Sequence, residues 1–215
     1  MIRNNKVKII VSSIVILIPM LVGGILWDSI PDEIAVHWGI NGEPDGFASK
    51  ALAVFGLPLI MLALHWVAIL ATASDKRNKE QSGKVIGMML FIIPVLSLFS
   101  IGIVGAAAFG VQLDTIMLLP VFFGVLFMIV GNYLPKARQN GAIGMRVKWT
   151  LESEECWNAT HRFGGKVFFI CGVLCLFSVF LPTAVSFITI MGLLLVASVV
   201  TIIYSYVYYK KHSAK

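Results

Sequence analysis

Six apolar stretches, each close to the length of a membrane crossing, decide what this chain can become. They run over 9–27, 51–73, 85–110, 115–134, 165–182 and 185–209. At a rise of about 1.5 Å per residue, about 20 apolar residues in a helix cross a hydrocarbon layer about 30 Å thick. Lipid offers the backbone no hydrogen bonds, so an open strand would leave its amides and carbonyls unpaired, and helices are the expected spanning form. The expected fold class is all-α integral membrane: a six-transmembrane-helix bundle with a small structured outer loop and a short cytoplasmic helix. Only 13% of the 215 residues are charged and 58% are hydrophobic, whereas a soluble domain carries about 25% charged residues. Lipid is the first partner the chain implies.

The charges between the spans orient the bundle. With both termini inside, 16 of the 17 Lys and Arg residues fall on the inner side and only Lys50 lies outside. The outer side then holds Asp28, Asp32, Glu33, Glu43, Asp45 and Asp114. Basic residues are retained in the cytoplasm during insertion, so this bias predicts a multi-pass protein of the cell membrane with cytoplasmic N- and C-termini. The net charge of +6 is read the same way, as topology signals beside anionic headgroups, and no direct nucleic-acid binding is expected. The apolar run from Ile9 to Trp27 follows a basic start (Arg3, Lys6, Lys8), but it is long for a cleaved leader and no small-x-small site follows it. It is expected to remain as the first span.

Two halves with three spans each are expected: residues 1–110 with an outer loop at 28–50, and residues 111–215 with a cytoplasmic loop at 135–164. The connections at Gln112-Leu-Asp114 and Pro182-Thr-Ala184 are short enough to be tight turns, and the basic segment 74–84 is most simply an orientation anchor. Pro19, Pro58, Pro94 and Pro120 fall within spans and should kink them or thin their packing. Gly102, Ala106 and Gly110 form a small-residue stripe expected to let the third span pack closely, within the bundle or against another protomer.

In the outer loop, Ile34, Val36 and Trp38 alternate with Ala35 and His37, the period of a short strand. Asn41-Gly42 and Asp45-Gly46 tolerate positive φ, so at least one tight turn should follow. Trp27 and Trp38 are expected at headgroup level. Asp32, Glu33, His37, Glu43 and Asp45 have three open readings: a hydrogen-bonded set that orders the loop, recognition of an external peptide, or divalent-cation binding centred on His37 and Asp45. No ligand spacing matches a known metal site, and neither a metal nor any other cofactor is expected.

The inner loop is denser in polar information. Thr150 is a natural N-cap, Glu152, Glu154 and Glu155 fill the first turns, and His161 and Arg162 lie near the end, matching the helix dipole. A separate helix over 151–163, stopped at Gly164, is therefore predicted, with Trp149 and Trp157 as interface anchors. Arg146, Glu154, His161 and Arg162 read as a structural ion-pair network or as an acid–base set. No nucleophile, metal signature or phosphate loop accompanies them, so a membrane enzyme is the alternative and no catalytic residue is assigned. Asn158-Ala-Thr160 fits a glycosylation acceptor, but a cytoplasmic segment never meets that machinery. Within the spans, His65 is the one ionisable side chain well inside a span and reads as an interhelical hydrogen bond or as part of a cavity or relay, the latter being the feature a small transporter would need. Asn132 should cap a helix or bond to a neighbouring one. Cys156 is expected in the cytoplasm, and Cys171 with Cys175 are expected to pack in the core.

The segments Gly131-Asn132-Tyr133-Leu134-Pro135-Lys136, Asn140, Gly144-Met145-Arg146, Trp149-Thr150-Leu151-Glu152-Ser153-Glu154, Trp157 and Thr160-His161-Arg162 resemble the signature of the SdpI family of bacterial membrane immunity proteins. The outer segment Ile30-Pro31-Asp32, Ile34, Val36-His37-Trp38, Asn41-Gly42-Glu43-Pro44-Asp45-Gly46 and Lys50 is similar to the uncharacterised membrane domain that often precedes it. Val147-Lys148 departs from the Thr-Pro usual before the Trp-Thr pair, so a looser turn is expected there. The resemblance implies protection against a secreted antimicrobial peptide toxin, with the outer loop (Asp32, Glu33, His37, Trp38, Glu43, Asp45) facing the toxin. It also implies signalling through a cytoplasmic transcriptional repressor held at the membrane. The inner signature (Asn132, Pro135, Lys136, Asn140, Arg146, Trp149, Thr150, Glu154, Trp157, His161, Arg162) would then be the output surface or the structural core.

Overall fold

The computed structural model describes all residues except Gln112, Asp114, Ala214 and Lys215. The expected turn at Gln112–Asp114 and the outer acid Asp114 therefore lie outside the described residues. The chain runs α1 (Lys6–Ile25), β1 (Glu33–Trp38), β2 (Pro44–Ser49), a π-helical turn (Leu52–Gly56), α2 (Leu57–Ser74), α3 (Gly83–Ala108), α4 (Thr115–Tyr133), α5 (Lys148–Glu152), α6 (Glu154–Phe177) and α7 (Thr183–Ser213). Six helical stretches are long and apolar enough to cross a membrane: Arg3–Ile25, Leu52–Ser74, Gly83–Ala108, Met117–Lys136, Glu154–Phe180 and Thr183–His212. This is a multi-pass, all-α membrane protein with one small sheet.

Two compact units form. The first comprises residues 1–74 and 86–114. Here α1 lies against α2 and the π-helical turn, joined in the interior by a Ser12 Oγ–His65 Nε2 hydrogen bond of 2.8 Å. The π turn precedes Pro58: the Leu57 amide reaches back five residues to the Leu52 carbonyl, one residue before the ring that cannot donate. The loop after α1 folds into an antiparallel hairpin that pairs Glu33 with Ser49 and Ile34 with Ala48. Of the two turn signals, only Asn41-Gly42 makes the reversal, with Gly42 at φ 81°. Gly46 sits within β2 opposite His37, where an added Cβ would stand 2.9 Å from His37 Cβ.

The hairpin buries Ile30 and Ile34 against Ala53, Val54 and Val104. At the end of α3, Gly110 adopts φ 69°. The Val111 amide bonds to the Ala106 carbonyl and the Gly110 amide to that of Ala107, a glycine-closed C-terminus. Within the chain the stripe expected on this helix does not pack closely: a Cβ on Gly102 or Gly110 would meet nothing within 4 Å.

The second unit comprises residues 75–85 and 115–215, with α6 packed against α4 and α7. Its close approach is made by glycines that the periodicity did not single out. A Cβ on Gly131 would stand 2.6 Å from the Gly165 carbonyl oxygen, and one on Gly165 would stand 2.7 Å from that of Gly131. Gly124 and Gly172 face each other in the same way, at 2.9 and 2.7 Å. Spaced seven residues apart on each helix, the two pairs let the backbones touch, where dispersion rather than water expulsion drives association. Phe127, Phe168, Cys171 and Cys175 fill the core beside them.

The inner helix differs from expectation. Thr150 lies inside the short α5, Ser153 breaks the chain, and Ser153 Oγ accepts from the Cys156 amide to cap α6. Helix α6 then runs unbroken through Gly164. That glycine does not stop the helix because it serves packing: an added Cβ would lie 2.6 Å from Thr201 Cγ2. Cys156 is buried.

Candidate functional site

The hairpin is held at its base by Lys50. Its ammonium donates to the Trp27 carbonyl at 2.9 Å, stands 3.7 Å from Asp32 Oδ1 and lies 4.8 Å above the Trp27 ring, with the side chain only 13% exposed. The Lys50 amide also donates to the Asp32 carbonyl. Trp27 stacks on Phe55, and Trp38 packs with it against the buried cluster under the hairpin. His37 Nδ1 donates to Asp45 Oδ1 at 2.5 Å across the two strands. Both are more than half exposed, so the pair orients the turn and contributes little stability. Asp28, Glu33 and Glu43 are exposed, and among the described residues none of them forms an ion pair. No three metal-ligating side chains converge among the described residues. The arrangement is an acidic, braced surface with its carboxylates outward.

The signature loop is built the other way round. Asn140 is fully buried and uses both ends of its amide: Nδ2 donates to the carbonyls of Arg138 and Ile143 at 2.8 and 3.0 Å. Its Oδ1 accepts from the amides of Ala142 and Ile143 at 2.7 and 2.6 Å. Thr150 Oγ1 closes the next turn, accepting from the Val147 amide at 3.1 Å and donating to the Met145 carbonyl at 2.8 Å. The Val147-Lys148 departure therefore leaves an ordered turn, since Thr150 supplies the bond.

His161 Nδ1 donates to the Trp157 carbonyl at 2.8 Å, and Nε2 accepts from the Met145 amide at 3.1 Å. Those bonds fix the neutral Nδ1–H tautomer, with both ring nitrogens used inside the fold. The imidazole stacks on Trp157, centroids 4.0 Å apart, and Trp157 Nε1 donates to the Ala137 carbonyl at 2.7 Å. Trp157 is thus a buried core residue and not an interface anchor. Gly144 passes over this pair at φ 107°, where a Cβ would collide with His161 Nε2. Trp149 is half-buried, donating to Ser205 Oγ at 2.7 Å and set edge-on to Tyr206.

Neither the ion-pair network nor the acid–base set is assembled. Arg146 donates to the Gly141 carbonyl at 2.6 Å, His161 turns inward, and Glu154 and Arg162 are exposed. Asn132 bonds within its own helix, accepting from Lys136 Nζ at 3.2 Å, while Lys136 covers the Tyr133 ring. Pro135 packs over Gly165.

The segment 75–85, which holds most of the basic connection 74–84, completes this loop. Asp75 Oδ2 accepts from the Gly141 amide at 2.5 Å, and Oδ1 accepts from the Arg77 amide at 2.9 Å. Desolvation pushes the Asp75 carboxyl up. The Gly141 and Arg77 hydrogen bonds and the Arg77 charge outweigh it and hold the group below the ordinary value of 3.8. Gln81 brackets Arg138, accepting from its amide at 3.0 Å and donating to its carbonyl at 2.6 Å. Val85 joins Ala137 and Trp157 in a buried cluster. Asp75, Gln81 and Gly141 carried no local signal, because their partners lie 57 to 66 residues away. Lys50 carried one, as the lone base among the residues expected on the outer side.

His65 makes an interhelical bond. Ser12 Oγ donates to the Ile9 carbonyl and so accepts from Nε2, leaving Nδ1 without a hydrogen-bond partner.

The profile of the SdpI/YfhL protein family matches residues 136–205, which hold most of the signature loop and its buried core. A domain of unknown function, DUF1648, matches residues 14–62 and contains the hairpin. Immunity protein SdpI of Bacillus subtilis (strain 168) is 34% identical over 206 residues, covering 95% of this chain and 97% of that protein. No solved structure matches. Likeness at that level along nearly the whole length, with both polar loops inside the matched regions, shows that the chain belongs to the SdpI/YfhL family.

Proposed function

We propose that this protein is a membrane immunity protein that gives its host resistance to a secreted antimicrobial peptide by binding, without catalytic chemistry. The hairpin carries the reading. It is a braced acidic surface whose Asp32, Glu33, His37, Glu43 and Asp45 side chains are exposed, suited to drawing in a cationic peptide. The relative that bears the name immunity protein matches across this hairpin as well as the signature loop. The bias of Lys and Arg supports placing the hairpin outside a bacterial cell membrane and both termini in the cytoplasm. Expression in a sensitive strain should raise survival against peptides secreted by competing producers. Unchanged killing by every such peptide would overturn the reading.

Signalling is the finer part of the same reading: on peptide engagement a cytoplasmic repressor is held at the signature loop. Since Asn140, Thr150, Trp157 and His161 are buried, the repressor would meet exposed side chains of this segment, such as Arg138, Lys148, Glu154 and Arg162. A fluorescently tagged candidate repressor should move to the membrane when peptide is added. A repressor that stays in the cytosol removes this part and leaves immunity standing.

A further inference from the structure

A groove of about 310 Å³ lies between α1 and α3, walled almost wholly by apolar side chains. Val22 and Leu98 stand at its sides, Ile30 and Ile34 of the hairpin loop close one end, and Gly102 and Gly105 form a flat floor. That floor is open, because a Cβ on either glycine would meet nothing within 4 Å. The volume accommodates one or two large apolar side chains. The hairpin at its end carries five carboxylates, Asp28, Asp32, Glu33, Glu43 and Asp45, against one lysine. That lysine is engaged by Trp27 and Asp32, and Asp45 is engaged by His37. Asp28, Glu33 and Glu43 remain exposed and without an ion pair among the described residues.

We propose that this groove receives the apolar side chains of a cationic amphipathic peptide whose basic residues lie against the hairpin carboxylates. The inference rests on the immunity reading and supplies its recognition chemistry. Two features distinguish such a peptide from an anionic phospholipid. An anionic phospholipid that placed its chain in the groove would set its headgroup against like charge, which is repulsive. A peptide can instead satisfy groove and carboxylates together, with apolar and basic side chains on opposite faces of one helix. His65 and the signature loop take no part.

The test uses the full chain in phosphatidylcholine nanodiscs and a fluorescent amphipathic helix built of Leu and Lys. Wild-type nanodiscs should bind this probe above empty ones, less so as salt rises. A Leu/Ser helix of the same length should bind more weakly. Gly102→Leu with Gly105→Leu fills the groove from sites with free space and better helix propensity, so the fold should survive. Binding should fall about tenfold, the effect of excluding one large apolar side chain. Gly105→Ala should change it little.

If the filled variant melts early, Glu33→Gln with Glu43→Gln at the exposed rim provides the second measurement and should weaken binding and flatten its salt dependence. Equal binding by wild type and filled variant overturns the groove. So does binding no better than empty nanodiscs, or a photoreactive residue at position 105 that labels lipid alone in the presence of probe. The immunity reading fails separately, on loss of protection by the wild type. If the wild type and the filled variant protect equally, immunity stands and the groove falls.

Discussion

In the hairpin, Glu33, His37, Glu43 and Asp45 are exposed, whereas in the signature loop Asn140, Thr150 and His161 are sealed within the fold. Both segments are polar and both match family profiles, yet they use polarity in opposite senses. The hairpin is held by a few base contacts, Lys50 to Trp27 and Ile34 in one cluster with Val54 and Val104, and leaves its carboxylates exposed. The signature loop spends its polar atoms on its own backbone, because a loop folded over a helix end must satisfy each amide and carbonyl it buries. A dense motif is therefore no guide to a reactive site. Here the more distinctive sequence buries its polar side chains, and the less distinctive one leaves its carboxylates exposed.

The contrast is most exposed to failure at Trp157. Trp157→Ala removes a wholly buried ring together with its bond to Ala137, so the fold should lose about 3–5 kcal/mol. A thermal melt of purified protein would show it, and a near-normal melt would mean that the signature loop is a surface after all. Asn140→Leu comes next: four backbone groups lose their partner, for a loss of about 3 kcal/mol. Hydrogen exchange should rise over 137–146 and leave the hairpin protected. At Gly144 an alanine meets both the positive φ and the His161 ring, and a loss of about 1–3 kcal/mol is expected in the same melts.

A smaller effect depends on pH. Because the Asp75 carboxyl is held below 3.8 when folded, its bonds to Gly141 and Arg77 stabilise the fold fully above the unfolded value. That contribution is lost as pH falls through the lowered folded value. Subtracting the acid melting profile of Asp75→Asn from that of the wild type should show this loss on the acid side only. A flat difference would detach segment 75–85 from the loop. The smallest change in stability belongs to the hairpin: Glu33→Gln with Glu43→Gln should leave the melting temperature unchanged while reducing protection against the peptide. Were these substitutions to unfold the protein, the hairpin would be scaffold too and the contrast would vanish.

The spans were legible because hydropathy is a local property summed along the chain; Leu57–Ser74 and Gly83–Ala108 lie close to the apolar stretches that announce them. The strand of the hairpin was legible for a similar reason, since alternation from Ile34 to Trp38 needs no knowledge of its partner. Capping at Ser153 was missed because Thr150 offers the same chemistry three residues earlier, and the choice between them depends on which hydroxyl the loop draws inward. The four-residue set at Arg146, Glu154, His161 and Arg162 dissolved for a related reason. One helix turns His161 toward Met145 and Arg162 outward, and spacing alone does not say where a neighbouring loop will lie.

By itself, then, the sequence determined the number and material of the helices and the acidity of one loop, both fixed by composition over short windows. Tertiary structure decided which glycines let helices touch. Gly102 and Gly110 have the familiar spacing and face open space, while Gly124, Gly131, Gly165 and Gly172 meet backbone to backbone. It also decided which polar side chains are used inside the fold, as Asp75 and Asn140 are, and which stay exposed, as Glu33 and Glu43 do. Both outcomes depend on atoms brought together from distant parts of the chain, and contact of that kind has no signature in a local window.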